Sequence, residues 1–362
     1  MISYWLLFLP FAFRSLTHPK EKWNNATFIS IIIFLVLFIG LRYDVGTDSG
    51  NYEVVLVKVR NTANNIFMKE YFFYLLCKLS LYLNWGVTGV NLFSSVFFSA
   101  GLASYCRTLP RPWLGLVISI PYLVIAVGMG YTKQSISLGL ILYGLTLLHR
   151  KKIIQYSLVI LISALFHLTS IIGLFLLVPF LVRKKDFSNK LFMLAVSALS
   201  FLGLYFLFIK RFLNMYLYVY LENEIMTSEG VFIRLAMVGI PSLVFLFFSN
   251  RANPENNQLI IYKCFAYYSL ALVFINPFYP STLVDRLALY GLPILIYVGG
   301  NFHDYRIVLM SKKYISIFLI LLSIATQFVW LNFAGNAYAW KPYQNAIIRF
   351  FENKILNEDI WL

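Results

Sequence analysis

The sequence predicts an all-α integral membrane protein, a polytopic helical bundle of about 12 transmembrane helices. Three observations carry that reading. Hydrophobic residues fill 60% of the 362 positions, charged residues only 12%, and mean hydropathy is +0.74, whereas a soluble domain carries about 25% charged residues. The apolar residues also fall in long blocks, as in Ile29–Leu41, Leu158–Phe166 and Ile315–Trp330. Finally, the blocks lack the period-two alternation of a transmembrane barrel, so helices satisfy the backbone in lipid.

Taken in order, the predicted spans are 2–14, 26–41, 88–105, 112–129, 133–148, 153–167, 169–182, 190–209, 231–249, 259–276, 286–300 and 314–332. The first lacks a basic leader and a small-residue cleavage site, so it reads as a retained span rather than a signal peptide. The stretch 66–84 mixes apolar residues with Lys69, Glu70 and Lys78. That pattern fits an amphipathic helix or another span, and the distribution of basic clusters favours a helix lying on the outer face. Residues 1–362 then form a single transmembrane domain. It has outer loops at 42–87 and 210–230, and an interfacial tail at 334–362 rich in Trp and Phe.

The formal charge of +15 sits in short clusters between apolar blocks, not on a continuous basic face. Nucleic acid is therefore an unsuitable partner. With 66–84 held outside, the runs Arg150-Lys151-Lys152, Arg183-Lys184-Lys185 and Ser311-Lys312-Lys313 all share one side. Basic clusters of this kind mark the cytoplasmic face of a membrane protein. Cys77, Cys106 and Cys264 show no metal-ligand spacing and read as small buried hydrophobes. No metal site and no cofactor motif is expected.

That threading gathers the unusual polar residues on the outer side. Arg42, Asp44 and Asp48 follow the second span, together with Tyr43 and Tyr52. Lys133 and Gln134 open a later span, His167 and Ser170 sit at the next outer turn, and Asp285 and Arg286 begin a late span ahead of Tyr290. Singly, each has a structural explanation. Cations at span ends snorkel to headgroups, and an acid at a helix start meets the helix dipole. Asp285 and Arg286 also suit a local ion pair, Gly46 and Gly50 suit tight turns, and a lone histidine is as often packing as chemistry.

Their convergence suggests more. Arg42, Lys133 and Arg286 suit a diphosphate, with Arg offering forked contacts and Lys a point charge. His167, Asp48 and Asp44 are available to take a proton from a hydroxyl, and an imidazole titrates closest to neutral pH. The sequence holds no Walker loop and no nucleotide fold, so an activated substrate must bring its own leaving group.

The segment Gly40–Tyr52, GLRYDVGTDSGNY, resembles the signature of the EpsG/Wzy family of bacterial polysaccharide polymerases. Arg42, Gly46, Thr47, Asp48 and Tyr52 fall in its order. YTKQSISLGLILYGL at 131–145 is similar to the family's Arg/Lys-Gln motif through Lys133 and Gln134, with Lys where many members carry Arg. ALFHLTSII at 164–172 resembles its His motif through His167 and Ser170. LVDRLALYGLP at 283–293 resembles its late Asp-Arg through Asp285, Arg286 and Tyr290.

The resemblance implies a glycosyltransferase of the multi-span GT-C type in the bacterial cytoplasmic (inner) membrane, facing the periplasm or exterior. It would join undecaprenyl-diphosphate-linked oligosaccharide units, as donor and acceptor, into O-antigen, capsule or exopolysaccharide, releasing undecaprenyl diphosphate. A chain-length regulator is an implied partner beside membrane lipid. Arg42, Lys133, Gln134, Arg286, Asp285, Tyr52, Tyr290 and Ser170 would bind substrate, and His167, Asp48 or Asp44 would act in catalysis. The rival readings are an O-antigen ligase, which usually carries a large late outer loop, and a lipid-linked oligosaccharide flippase or other transporter, which binds near the midplane and often shows repeated halves.

Overall fold

The computed structural model describes residues 1–61, 70–177, 230–249, 257–276, 281–302 and 312–350. The expected span 190–209, most of the 210–230 loop with Lys210, Arg211, Glu222, Glu224 and Glu229, the end of span 169–182, residues 277–280, His303 and the tail beyond Phe350 lie outside the described residues. The described residues are helical, with one isolated β-bridge between Arg42 and Asn345.

In chain order the helices are α1 (Ile2–Thr17), α2 (Asn25–Gly40), α3 (Ser49–Asn61), α4 (Tyr71–Tyr82), α5 (Gly86–Thr108), α6 (Pro112–Ser119), α7 (Thr132–His149), α8 (Ile153–Phe166), α9 (Val231–Ser249), α10 (Asn257–Ile275), α11 (Ser281–Ala288), α12 (Pro293–Asn301) and α13 (Lys312–Phe333). Among the described residues, five stretches are long and apolar enough to cross a membrane: Gly86–Thr108, Val231–Ser249, Gln258–Ile275, Thr282–Asn301 and Lys313–Phe333. Helices α1, α2 and α8 are apolar but shorter. The described α4 has 12 residues, about 18 Å of helix against a hydrocarbon core of about 30 Å.

The described residues group into two compact units. One comprises Met1–Ile171 with Ile296–Leu362, the other Ile172–Leu295. The first is built on close backbone contact. A Cβ at Gly101 of α5 would run into the Gly139 backbone of α7, and one at Gly139 would lie 2.5 Å from the Phe98 Cα. Gly40 brings α2 equally near α5, 2.8 Å from the Leu92 Cα. Small residues give this proximity in lipid, where apolar burial alone does not drive helices together. Serines tie α7 to α8: Ser137 Oγ donates to Ser163 O at 3.0 Å and Ser163 Oγ to Ser137 O at 3.1 Å.

Outward faces of α2 and α13 present Ile29, Ile33, Leu37, Phe318, Leu321 and Phe328 uncovered. A water-facing helix would carry charge there, and contiguous apolar faces of this kind suit lipid. Residues 112–129 do not form one regular helix. After Ser119 the chain widens into a π-type stretch, Ile120–Gly128, starting beside Pro121. Proline removes an N–H and crowds the preceding turn, so the helix cannot continue with its regular pitch.

In the second unit, Gly291 sits 2.8 Å (as a built Cβ) from Ser269 Oγ of α10, so the tight turn Leu289–Gly291 packs against that helix. The expected span 286–300 lies within the apolar stretch Thr282–Asn301, whose helical path tightens at Leu289–Gly291.

Candidate active site

Arg42 follows the last turn of α2, in a loop that folds back sharply. Asp44 has φ 48° and Gly46 φ +101°. A side chain at Gly46 would be strained twice, by that dihedral and by Met129 O lying 2.5 Å from its Cβ. At Gly50 nothing lies within 4 Å, so the sequence reading of both glycines as turn formers applies to Gly46 alone.

The carboxy-terminal segment braces this loop. Ala346 N donates to Leu41 O at 2.7 Å, Tyr43 N to Gln344 O at 3.0 Å and Gly46 N to Ala339 O at 2.8 Å. Trp340, expected near an interface, is 1% exposed. Its Nε1 donates to Ile125 O at 2.8 Å, inside the widened stretch after α6. Tyr4 Oη donates to Trp340 O at 2.7 Å, which anchors the brace to α1. Arg349 lies over the Tyr43 ring at 4.1 Å.

The Arg42 guanidinium is thereby held inside the protein, 2% exposed. Nη1 donates to Ile39 O at 2.6 Å and Nη2 to Thr132 Oγ1 at 2.9 Å. Its Nε has no hydrogen-bond partner among the described residues, and no carboxylate there forms an ion pair with it. Burial lowers its pKa to about 10, with Tyr52, Tyr343 and Tyr4 nearby opposing the shift. It stays cationic at neutral pH. A buried cation without an acid is costly unless an anion or water reaches it.

Thr132, which receives Arg42, is the first residue of α7. That helix start carries the positive end of the helix dipole. Lys133 N donates to Tyr52 Oη at 3.3 Å, joining α3 to the same point. Burial, then the nearby Asp48, pushes the Tyr52 phenol well above its ordinary range, so it acts as a neutral hydroxyl. Asp48 is half-buried and accepts from Asn51 Nδ2 at 3.5 Å, while Asp44 is exposed.

Lys133 then leads to a group that sequence reasoning missed. Its Nζ donates to Glu70 Oε2 at 2.9 Å, and the other oxygen, Oε1, lies 2.6 Å from His167 Nδ1. Glu70 starts α4 with a left-handed backbone, φ 60° and ψ 52°, and its side chain does not cap that helix. Such a conformation in a non-glycine residue marks a position that the surrounding contacts hold. Burial pushes the Glu70 carboxyl up, but His167 and Lys133 outweigh that and leave it near about 2. The Lys133 ammonium, expected as a free cation for phosphate, is thus matched by an acid and lies 4.8 Å from the Phe73 ring centre.

Arg42, Thr132, Tyr52, Lys133, Glu70 and His167 form one continuous chain of contacts across α2, α3, α4, α7 and α8. Gln134 is buried one residue further along α7. Ser170 is also buried, its Oγ lying 2.8 Å from Ser163 Oγ, a link within helix packing. Arg286, Asp285 and Tyr290 belong to the second unit. There Asp285 pairs with Arg234 of α9, a long-range ion pair where the sequence suggests a local one, and Tyr290 is 2% exposed.

Two signals of these missed groups stand in the sequence. Glu70 is an acid beside an apolar run, and Arg234 is a charge inside a highly apolar helix, and each is costly in lipid unless partnered. Among the described residues no three His, Cys, Asp or Glu side chains gather as metal ligands do. Comparison with characterised proteins and with solved structures gave no match. The sequence profile of the EpsG family matches residues 25–345, a stretch that includes every residue of the contact chain from Arg42 to His167, and the protein belongs to that family.

Proposed function

We propose that this membrane protein is a polysaccharide polymerase that joins lipid-linked repeat units at the outer face of the cytoplasmic membrane. The observation that carries this reading is the buried Arg42 guanidinium, without an acid partner among the described residues, linked through the start of α7 to His167. Glycosyl transfer from a diphosphate needs a cation for the leaving group and a proton acceptor for the attacking hydroxyl. Membership of the EpsG family and a helical, apolar architecture support the same reading.

In this mechanism the acceptor's hydroxyl oxygen attacks the anomeric carbon of the donor glycan. The bond from that carbon to the diphosphate oxygen breaks, and its electron pair leaves with undecaprenyl diphosphate. Arg42 stabilises the charge that grows on the leaving group, aided by the positive end of α7. His167 takes the hydroxyl proton, with Asp48 the second candidate. The whole acts within a GT-C-like bundle of about 12 spans.

Deleting the gene in its host tests this. Loss of the polymerase should leave single lipid-linked repeats that a membrane-impermeant sugar oxidant labels from outside, with no long polymer on gels. Repeats shielded from the oxidant, and released by permeabilising the cells, would overturn polymerisation in favour of export.

A further inference from the structure

The proposed transfer gives the partly buried Glu70 of the contact chain no task, and its geometry supplies one. We propose that Glu70 is a positioning residue that fixes His167 in the tautomer whose Nε2 lone pair receives the acceptor's proton. This inference rests on the polymerase reading and adds to it a residue absent from the family motifs the sequence displays.

The argument starts at the short contact. A carboxylate has lone pairs and no proton to give, so the 2.6 Å contact between Glu70 Oε1 and His167 Nδ1 requires the proton on Nδ1. In the neutral ring, Nε2 is then the unprotonated nitrogen. That atom is buried and has no hydrogen-bond partner among the described residues. A buried acceptor with nothing to accept from is uncommon in a folded protein, and such an atom suits a group that an incoming hydroxyl would occupy. The side chains are 14% exposed for His167 and 18% for Glu70, which leaves little solvent to rotate the ring.

Two further contacts hold the carboxylate in place. Lys133 Nζ grips Oε2 at 2.9 Å, leaving Oε1 for the imidazole. The left-handed backbone at Glu70 aims its side chain across to α7 and α8 instead of back onto its own helix. His167 is itself set at the end of α8, where its N–H donates to Ser163 O at 3.0 Å. Once the hydroxyl proton reaches Nε2, the ring becomes an imidazolium. Glu70 then faces a full positive charge at hydrogen-bond distance and stabilises it. The proton leaves afterwards to water, returning the ring to its starting form. Carboxylate–imidazole pairs act in this way in hydrolases of unrelated fold.

Steady-state kinetics on the full-length chain in detergent test this, using lipid-linked repeat units extracted from the host's deletion strain. The variants are Glu70→Gln, Glu70→Asp, His167→Ala and the double variant Glu70→Gln/His167→Ala. Glu70→Gln should lower kcat by about 10²–10⁴-fold with KM nearly unchanged, since the amide lets Nδ1 lose its proton. Glu70→Asp, which tolerates the left-handed backbone and keeps the charge, should recover part of that loss. The double variant should be no slower than His167→Ala alone, because residues that act as a unit are not additive. A Glu70→Gln enzyme at wild-type rate, or a double variant whose losses multiply, would overturn the positioning role while leaving polymerisation intact. A wild-type chain that makes no polymer from these units would instead strike the polymerase reading itself.

Discussion

Two ends of the same helices treat their cations in opposite ways. At the end where α1 stops and α2 begins, Arg14 forks onto Glu21, with Nε and Nη2 donating at 2.9 and 2.7 Å. Trp113 Nε1 donates to the same carboxylate at 2.8 Å, Arg107 reaches Asn25 at 2.9 Å, and Lys22 reaches Leu109 O at 2.9 Å. The Arg14 and Glu21 side chains are partly exposed, and Arg14 is matched by an acid. At the far end of α2, Arg42 is buried, and its ion partner is missing among the described residues. Exposed pairs of the first kind contribute little and close on themselves. A buried cation of the second kind is expensive to keep, and a protein keeps one where a charged ligand arrives.

The largest effect that sharpens this contrast is expected at His167. His167→Ala should cut polymerisation by about 10²–10⁴-fold, while Asp48→Ala should leave most of it, read as polymer length on gels. The reverse result would move the base to Asp48. Arg42→Ala comes next, with a loss of about 10²–10³-fold at unchanged protein level in the membrane. Arg14→Ala at the other end should support wild-type polymer. Equal effects at the two ends would break the comparison.

Much of this arrangement is legible in residue order, because motifs at span ends follow from the alternation of apolar blocks. Arg42, Lys133 and His167 each stand beside an apolar block, so the threading alone places them at one level. Glu70 is a different case. Its partners lie at Lys133 and His167, far along the chain, and the stretch around it reads equally as interface or span. Only tertiary packing reveals that its carboxylate serves both. The same holds for the carboxy-terminal brace. Trp340 and Tyr343 look like interfacial aromatics in sequence, but backbone hydrogen bonds between their segment and Leu41, Tyr43 and Gly46 decide their place. Arg234 and Asp285 pair across two helices for the same reason. The helical, apolar character was readable from composition, whereas the break of 112–129 into a widened stretch depends on one proline and its surroundings.

Smaller effects probe the loop that holds Arg42. Gly46→Ala should destabilise the chain by about 1–3 kcal/mol, since it meets both a positive φ and Met129 O. Gly50→Ala should leave thermal stability in detergent unchanged. Equal melting temperatures for the two variants would remove the reason given for that turn.

The smallest expected effect is the pH dependence of the Glu70 tie. Its carboxyl pKa lies at about 2 in the folded chain, below the ordinary 4.5. A depressed carboxyl contributes stability that is fully present above 4.5 and is lost as pH falls toward 2. The melting temperatures of wild type and Glu70→Gln should therefore approach each other as pH falls from about 4.5 toward about 2. A gap that widens across that window would reverse the sign and discard the pairing.

The central claim is that Arg42 receives the diphosphate of a lipid-linked glycan, and binding tests it without any turnover. The purified full-length chain would be titrated with farnesyl diphosphate in detergent, with farnesol as the uncharged control, while its melting temperature is recorded. The wild type and Arg14→Ala should be stabilised by the diphosphate and not by the alcohol, and Arg42→Ala should respond to neither. An Arg42→Ala chain stabilised by the diphosphate as strongly as wild type would contradict the account.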